Sequence, residues 1–302
     1  MHAEMLRHFR QPWRSVSTAA RRIVTRHTPA ACRAFSGNPD DRRPTPKDIP
    51  TDAEVVIIGG GIIGNSVAYH LAKSGMKDVV LLEQDQVTAG TTWHAAGLMV
   101  TFGSLSETST EIRKYSKQLY RDLESETGHA TGFSPVGFIE LASEPDRLEE
   151  YRRIAAFNRA MGIDVQEIGA SEVESLFPLC RTDDILAGFY VPDDGRVNPV
   201  DACVSLSKGA KMHGATVLEG VRVSGITRDA SGTTVTGVTT ESGQTIRAKK
   251  VVNCAGMWAR QLAEQAGVVC PNQAAEHYYL VTDAMPEVTF VLPCVIFVSI
   301  VT

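Results

Sequence analysis

Three glycines near the start of this 302-residue sequence have the spacing of a nucleotide-binding loop. Gly59, Gly61 and Gly64 form a GxGxxG pattern directly after the apolar run 55–58 and before apolar residues at helical spacing. In such a loop the first glycine permits a tight turn from strand to helix, the second lets the backbone approach a pyrophosphate, and the third lets the helix pack on the strand. The pattern therefore predicts a dinucleotide cradle at a helix N-terminus.

An acidic residue, Glu83, ends a second apolar run, 79–82, and stands about 20 residues beyond Gly64. An acid at this place accepts hydrogen bonds from the ribose of an adenosine. Its charge disfavours a 2′-phosphate, so the residues argue against NADP and leave NAD and FAD open. The alternative is a glycine-rich turn in an α/β protein that binds no nucleotide.

A histidine, His94, lies shortly after Glu83 in the segment AGTTWHAAGLM, next to Trp93. A loop rich in Gly, Ala and Thr at this place can run along an extended cofactor towards its reactive ring. Taken by themselves, such histidines are more often ordinary loop residues than functional groups. The residues alone leave both interpretations open.

The stretch GTTWHAAGL, after GGGIIG and VVLLEQ, resembles the mitochondrial dimethylglycine and sarcosine dehydrogenases, flavoproteins in which the matching histidine carries FAD covalently. The resemblance spans about residues 53–282, and its further pieces are LYRDLESETGHATGF, FYVPDDGRVNP, VVNCAGMWAR and EHYYLVT. It implies that FAD is attached through His94 and that the three glycines and Glu83 hold the ADP half. The other cofactor contacts it implies are Thr91, Gly97, Val223, Ala255 and Gly256.

The resemblance also implies that His277 and Tyr279, in EHYYLVT, line the substrate face of the flavin. A histidine can take up or relay an amine proton near neutral pH, and a tyrosine hydroxyl can orient a substrate. The alternative for this stretch is an aromatic strand that covers a core, since its residues alternate in the manner of a strand.

The activity implied is oxidative N-demethylation of dimethylglycine or sarcosine. A hydride passes from the N-methyl carbon to the flavin, water hydrolyses the resulting imine, and an electron-transfer flavoprotein accepts the electrons. Two alternatives are a non-catalytic regulatory protein similar to the regulatory subunit of pyruvate dehydrogenase phosphatase and an inactive truncated isoform. The pair Trp93 and His94 favours the enzyme, because a regulator has no need of a flavin tether.

The charge is unevenly distributed along the chain, whose net charge is −5. Residues 1–35 are rich in arginine and nearly free of acids, a pattern typical of a mitochondrial transit peptide, and the resemblance places the protein in the matrix. The alternative is a disordered basic tail. The acidic remainder gives no electrostatic reason to bind nucleic acid, and the apolar runs are too short or too interrupted for a membrane span.

The six cysteines show no CxxC pairing and no histidine cluster at metal spacing. We therefore expect reduced thiols, with neither a metal nor a disulfide framework. Small soluble molecules, rather than nucleic acid or membrane, are the expected partners.

The expected fold class is α/β, a Rossmann-like FAD-binding domain of the glutathione reductase or D-amino-acid oxidase type, interleaved with a mixed-sheet substrate domain that is incomplete at the C-terminus. The expected organisation is a transit peptide and linker over 1–50, FAD-binding parts over 51–130 and 191–266, and substrate-domain parts over 131–190 and 267–302. Alternating residues predict a meander of strands over 216–252, with a final strand, 251–254, that returns to the dinucleotide sheet.

Helices are predicted by periodicity and capping signals. Gly75 and Gly128 are placed to end two of them, a third runs over about 147–161, Ser171 and Glu174 form a capping box, and Asn198 caps a helix that ends near 214. The apolar run 288–302 is expected to form a buried strand pair bent at Pro293. It departs from the resembled family, which suggests a truncated or alternatively spliced product.

Overall fold

The computed structural model describes residues 48–289 and 291–297. Residues 1–47, which contain the predicted transit peptide, lie outside the described residues, as do the final residues of the apolar run, 298–302. The described helices, in chain order, are α1 (Ile62–Lys73), α2 (Glu107–Thr127), α3 (Pro145–Ala160), α4 (Ala170–Leu176), α5 (Pro199–Met212) and α6 (Ala259–Gln265).

The strands belong to two larger sheets and a short pair. The described strands, in chain order, are β1 (Asp52–Ile58), β2 (Val79–Leu82), β3 (Leu98–Met99), β4 (Phe138–Ala142), β5 (Gln166–Ile168), β6 (Ala187–Val191), β7 (Gly195–Arg196), β8 (Thr216–Leu218), β9 (Val223–Arg228), β10 (Val235–Thr240), β11 (Thr245–Asn253) and β12 (Cys294–Phe297).

The first sheet has the strand order β8-β2-β1-β11-β10-β9. β1 pairs in parallel with both β2 and β11, whereas β10 and β9 continue the sheet as an antiparallel meander. Residues 55–58 of β1 and the whole of β2 are continuous apolar runs, because residues of a central parallel strand are covered on both faces. On one face these strands pack against α1, α2 and α5. Because β1, β2 and β11 are parallel, their carboxyl ends meet at one edge of the sheet.

The second sheet has the order β12-β4-β6-β5 and is mixed, since β12 is parallel to β4 while β6 is antiparallel to both β4 and β5. Alternate residues of β4 face opposite sides of it. Phe138 packs with residues of α3, such as Tyr151, whereas Ile139 packs with Val173 of α4. The mixed α/β architecture follows from these two sheets and their helices.

Most predicted helix boundaries are confirmed. Gly75 follows α1 with φ +88°, and Gly128 ends α2 in the left-handed region at φ +66°. Asn198 caps α5 by accepting from the backbone N–H of Val200 and Asp201. The final strand of the meander returns beside β1, as predicted.

Two expectations about local structure and one alternative interpretation are wrong. The capping box does not use Ser171 and Glu174: the cap of α4 is Gly169, whose N–H donates to the Glu172 carboxylate at 2.9 Å. Ser171 therefore lies inside the first helical turn.

Within the described residues, neither the alternative of an aromatic strand in EHYYLVT nor the expected strand pair at the end of the chain is present. Residues 268–284 contain neither helix nor strand, and their apolar side chains, such as Leu280 and Val281, are exposed instead of covering a core. Within the described part of 288–302 there is one strand, β12, which begins directly after Pro293 and joins β4. Proline lacks the N–H that a strand interior needs, so the strand begins after it.

No helix among residues 48–289 and 291–297 has the length and apolar character needed to cross a membrane.

Candidate cofactor-binding site

The glycine loop between β1 and α1 is packed so closely that side chains are excluded at two positions. Gly59 has φ +110°, and a Cβ there would lie 2.3 Å from the carbonyl oxygen of Cys254. A Cβ on Gly64 would lie 1.9 Å from the carbonyl oxygen of Gly59. Helix α1 and the ends of β1 and β11 therefore approach each other at backbone contact distance, as the spacing predicted.

The N-terminus of α1 is suited to an anion. Its first turn contains no acidic residue, so no carboxylate of the helix itself offsets the positive end of the helix dipole. Asn65 is fully buried and its amide donates to the carbonyl oxygens of Gly60 at 2.8 Å and Gly61 at 3.1 Å. These bonds turn both carbonyls towards the protein. A polar cradle for phosphate oxygens results, in which backbone N–H groups are the donors.

The Glu83 carboxylate lies against this loop directly after β2. One oxygen accepts from the N–H of Gly60 at 2.6 Å, the other accepts from the N–H of Asp85 at 2.9 Å, and the residue is only 9% exposed. An ionised carboxylate oxygen has more than one acceptor site, so both oxygens can accept a further bond from a ribose hydroxyl. The structure thus brings Glu83 and the glycines together.

The predicted tether residue lies in a 3₁₀ turn, Thr91–His94, here called the His94 turn. The Thr92 hydroxyl accepts from the backbone N–H of Ile62, the first residue of α1, at 3.0 Å. This bond holds the turn on the glycine loop. His94 and Trp93 are exposed, and their ring centroids are 3.7 Å apart.

The hydrogen bond of the His94 ring selects its neutral tautomer. Nδ1 lies 3.2 Å from the carbonyl oxygen of Gly90, which can only accept. Nδ1 therefore carries a hydrogen, and in the neutral form of the ring Nε2 is the nitrogen with the lone pair. A neutral imidazole in this tautomer presents Nε2 as its nucleophilic nitrogen.

The remaining predicted cofactor residues lie around the same edge. Ala255 and Gly256 follow β11, and Gly256 has φ +53°. Val223 packs with Ala255 and Leu82 in an apolar cluster under the strand ends. Gly97 is buried beyond the His94 turn, where a Cβ would lie 2.2 Å from the Val197 carbonyl oxygen.

His277 and Tyr279 are placed differently from the other predicted residues. Both are exposed, Tyr279 by 64%, in the stretch 268–284 that has no helix or strand. The glycine loop, Glu83 and the His94 turn are joined by direct contacts of the described residues, and these two residues are not among those contacts.

Sequence reasoning missed three polar residues that support the loop. Asn65 and Thr92 make the bonds described above, and Cys203 of α5 lies under the loop, 3.3 Å from the Asn65 amide. Burial raises the pKa of the Cys203 thiol to about 12, so it stays protonated. The sequence offered a signal for Asn65, since it directly follows the last loop glycine. The role of Cys203 could not be predicted in this way, because it depends on a contact between residues far apart in sequence.

The described cysteines, 180, 203, 254, 270 and 294, are free thiols. No group of three His, Cys, Asp or Glu side chains within the described residues could hold a metal ion.

A family model described as FAD dependent oxidoreductase matches residues 54–299. The chain belongs to this family. The tight glycine turn, the N-terminus of α1 and the placement of Glu83 fit the ADP half of FAD, because they bring a helix dipole end and a carboxylate acceptor together at one loop.

Curated relatives are similar over most of this chain. It is 41% identical to mitochondrial sarcosine dehydrogenase of Mus musculus over 239 residues, which cover 78% of this chain and 26% of that protein. It is 40% identical to mitochondrial dimethylglycine dehydrogenase of Rattus norvegicus over 245 residues, 81% of this chain and 28% of that protein. It is also 39% identical to the mitochondrial pyruvate dehydrogenase phosphatase regulatory subunit of Mus musculus over 236 residues, 78% of this chain and 26% of that protein. The chain thus spans about a quarter of the length of these relatives.

Among solved structures, L-proline dehydrogenase from P. horikoshii matches with a TM-score of 0.68 and 27% sequence identity, over 73% of this chain and 57% of that one. Together with the family match, this confirms the predicted fold class and the predicted resemblance.

Proposed function

We propose that this chain supplies the FAD-binding part of an enzyme that oxidatively demethylates an N-methylated glycine, and that FAD is attached through His94. The observation that carries the proposal is the bond from the Ile62 N–H to the Thr92 hydroxyl, which holds the His94 turn on the glycine loop. The mitochondrial sarcosine and dimethylglycine dehydrogenases that the chain resembles support the substrate class.

The residues have separate tasks in this proposal. The glycine loop and the N-terminus of α1 bind the pyrophosphate through backbone N–H groups. Glu83 accepts from the adenosine ribose. Thr91, Gly97, Val223, Ala255 and Gly256 contact the rest of the cofactor, the last two through their backbone.

His94 is the proposed tether, and its Nε2 is the nitrogen that the Gly90 hydrogen bond leaves with a lone pair. Nε2 would hold the flavin by a covalent bond in place of one of its C–H bonds; forming that bond would release a proton and two electrons, for which dioxygen would be the acceptor. A tethered cofactor stays in place at any dilution, so the protein spends no binding free energy on retaining it. When bound, FAD supplies an acceptor for the hydride that leaves the N-methyl carbon.

His277 and Tyr279 are proposed to act on the substrate. The amine must be neutral before it gives up a hydride, and a histidine near neutral pH can take its proton. The Tyr279 hydroxyl orients the amine. Replacing His277 with Gln should lower kcat/KM most strongly below the amine pKa. An unchanged pH profile would remove His277 from the mechanism.

The relatives named above are labelled mitochondrial, which supports a mitochondrial location. We propose the matrix as the compartment and an electron-transfer flavoprotein as the electron acceptor. The domain boundaries expected from the sequence, with FAD-binding parts over 51–130 and 191–266, also stand as proposals.

A non-catalytic regulatory role is the second candidate, favoured by the 39% identity to the phosphatase regulatory subunit. A regulator needs neither tethered flavin nor turnover, so flavin content and turnover together separate it from the enzyme.

The test is acid precipitation of the full chain after incubation with FAD. Wild type should retain yellow, fluorescent flavin on the polypeptide, and His94→Ala should release all of it. The matched control is His129→Ala. His129 lies outside the site, where its ring is hydrogen-bonded to Asp201, so this variant should behave as wild type. Flavin that remains bound to His94→Ala would exclude this residue as the tether.

A further inference from the structure

A fully buried carboxylate, Asp194, lies between β6 and β7, and it belongs to none of the residues assigned to cofactor or substrate. One oxygen accepts from the backbone N–H of Thr101 at 2.6 Å, and the Thr101 hydroxyl donates to both oxygens at 2.8 and 2.9 Å. Lys117 of α2 donates at 3.1 Å and is itself only 15% exposed. The carboxylate therefore accepts from three donor groups of two residues, Thr101 and Lys117.

These bonds hold Thr101, in the segment that follows the His94 turn. Three further backbone interactions join the same two stretches of chain. The Val197 N–H donates to the Gly97 carbonyl at 2.8 Å, and β3 pairs with β7 through Leu98 with Arg196 and Met99 with Gly195. Residues 97–101 are thus bound to 194–197 over their whole length. Only Ala95 and Ala96 lie between His94, the last residue of the turn, and this bound segment.

A buried carboxylate is suited to this task because its geometry is restricted. Removing a charge from water costs several kcal/mol, and only well-placed donors offset that cost, so alternative positions of Thr101 are disfavoured. Charge-assisted bonds are also shorter and stronger than neutral ones. The upstream side of the turn has a separate anchor, the bond of Thr92 to Ile62.

We propose that Asp194 is a positioning residue for the His94 turn. Its carboxylate holds residues 97–101, and thereby sets where the turn can place the His94 imidazole over the glycine loop. The role rests on the attachment at His94 proposed above. Asp194 touches neither the loop nor His94, and it acts through the Thr101 backbone and the β3–β7 pair.

The test compares Asp194→Asn with Asp193→Asn, its exposed neighbour, in the full chain. Purified proteins are incubated with FAD, and acid-stable flavin is measured against time beside reversible FAD binding. For Asp194→Asn we expect reversible binding as in wild type and attachment about tenfold slower, because small displacements of a reacting group cost large factors in rate. Hydrogen exchange of the amides in 91–101 should also become faster. Asp193→Asn should match wild type in all three measurements.

The outcomes distinguish the positioning role of Asp194 from the FAD attachment at His94 on which it rests. Wild-type protein without acid-stable flavin would refute the attachment at His94, whereas wild-type rates of attachment and exchange in Asp194→Asn would refute the positioning role alone. If Asp194→Asn does not fold, Thr101→Val and Thr101→Ser decide. Valine removes the hydroxyl donor and should slow attachment, and serine should restore it. Equal rates in these two variants would overturn the proposal.

Discussion

At the scale of single residues, the glycine loop shows how spacing and close contact are related. Gly59 and Gly64 are required by backbone atoms that would lie within 2.3 Å of a Cβ. The carboxylate of Glu83 also contacts the loop, because it accepts a hydrogen bond from the Gly60 N–H. Each contact involves the backbone of a partner, so no side-chain movement can relieve a substitution at the two glycines.

The loop glycines lead to a stability prediction. Gly64→Ala should lower the free energy of unfolding by about 3 kcal/mol and abolish FAD binding, because α1 must move away from β1. Urea unfolding and flavin titration measure the two effects. Gly225→Ala, in β9 with its nearest neighbouring atom 4.0 Å from the new Cβ, is the control and should change stability by less than about 0.5 kcal/mol. A Gly64→Ala protein as stable as this control would contradict the described packing.

At the scale of elements, α1, α2 and α5 are joined by an ionic cluster on the outer side of their shared core. Glu126 of α2 accepts from Tyr69 at 2.7 Å and from Lys73 at 2.8 Å, both on α1, and lies 2.8 Å from the His213 ring at the end of α5. Burial alone would raise the pKa of Glu126, but the hydrogen bonds from Lys73, His213 and Tyr69 outweigh it and lower the pKa to about 2.

This cluster predicts an acid-sensitive contribution to stability. Because the pKa of Glu126 is lower in the folded state, its contribution is complete above the ordinary value of 4.5 and is lost as pH falls from there to about 2. Partial exposure reduces it to about 1 kcal/mol. Urea unfolding at several pH values should show a flatter acid limb for Glu126→Gln than for wild type. Glu124→Gln, an exposed neighbour on α2, should keep the wild-type slope. Parallel slopes for the two variants would refute the cluster's role.

At the scale of the whole molecule, the described residues contain a well-packed pair of sheets and one exposed stretch. The β1 and β4 strands lie in cores where Val56, Ile57, Phe138 and Ile139 are fully buried. In contrast, Tyr278 and Leu280 of the stretch 268–284 are more than four-fifths exposed. Residues proposed to act on the substrate therefore lie on the least packed part of the described chain.

The exposed stretch predicts a preferred site of proteolysis. Among the described residues, chymotrypsin should cleave first at 278–280, because these residues are exposed and outside any sheet or helix. Mass spectrometry of the first fragments measures this. Tyr69 and Phe189, which are 0% exposed, serve as internal controls and should be cut only after unfolding. Early cleavage at these two residues would contradict the described packing.

Local patterns were sufficient for much of the fold and the site. The GxGxxG spacing, the apolar runs of β1 and β2 and the cap at Asn198 each depend on neighbours within a few residues, and the structure contains all of them. The capping box predicted at Ser171 is wrong, because the start of this helix does not depend on neighbouring residues alone. Two residues earlier, Gly169 and Glu172 make one half of such a pairing, the bond from the Gly169 N–H to the Glu172 carboxylate, and Val173 of the same helix packs on the second sheet.

The amino-acid sequence by itself determined the class of site: a dinucleotide loop, an acid after the second strand and a histidine shortly beyond. Tertiary structure alone decided what holds these parts together. The bond of Thr92 to Ile62, the contact of Gly59 with Cys254 and the anchoring of Thr101 by Asp194 join residues 30 to 195 positions apart. Which distant atoms meet depends on sheet order and helix packing, and no local periodicity encodes these.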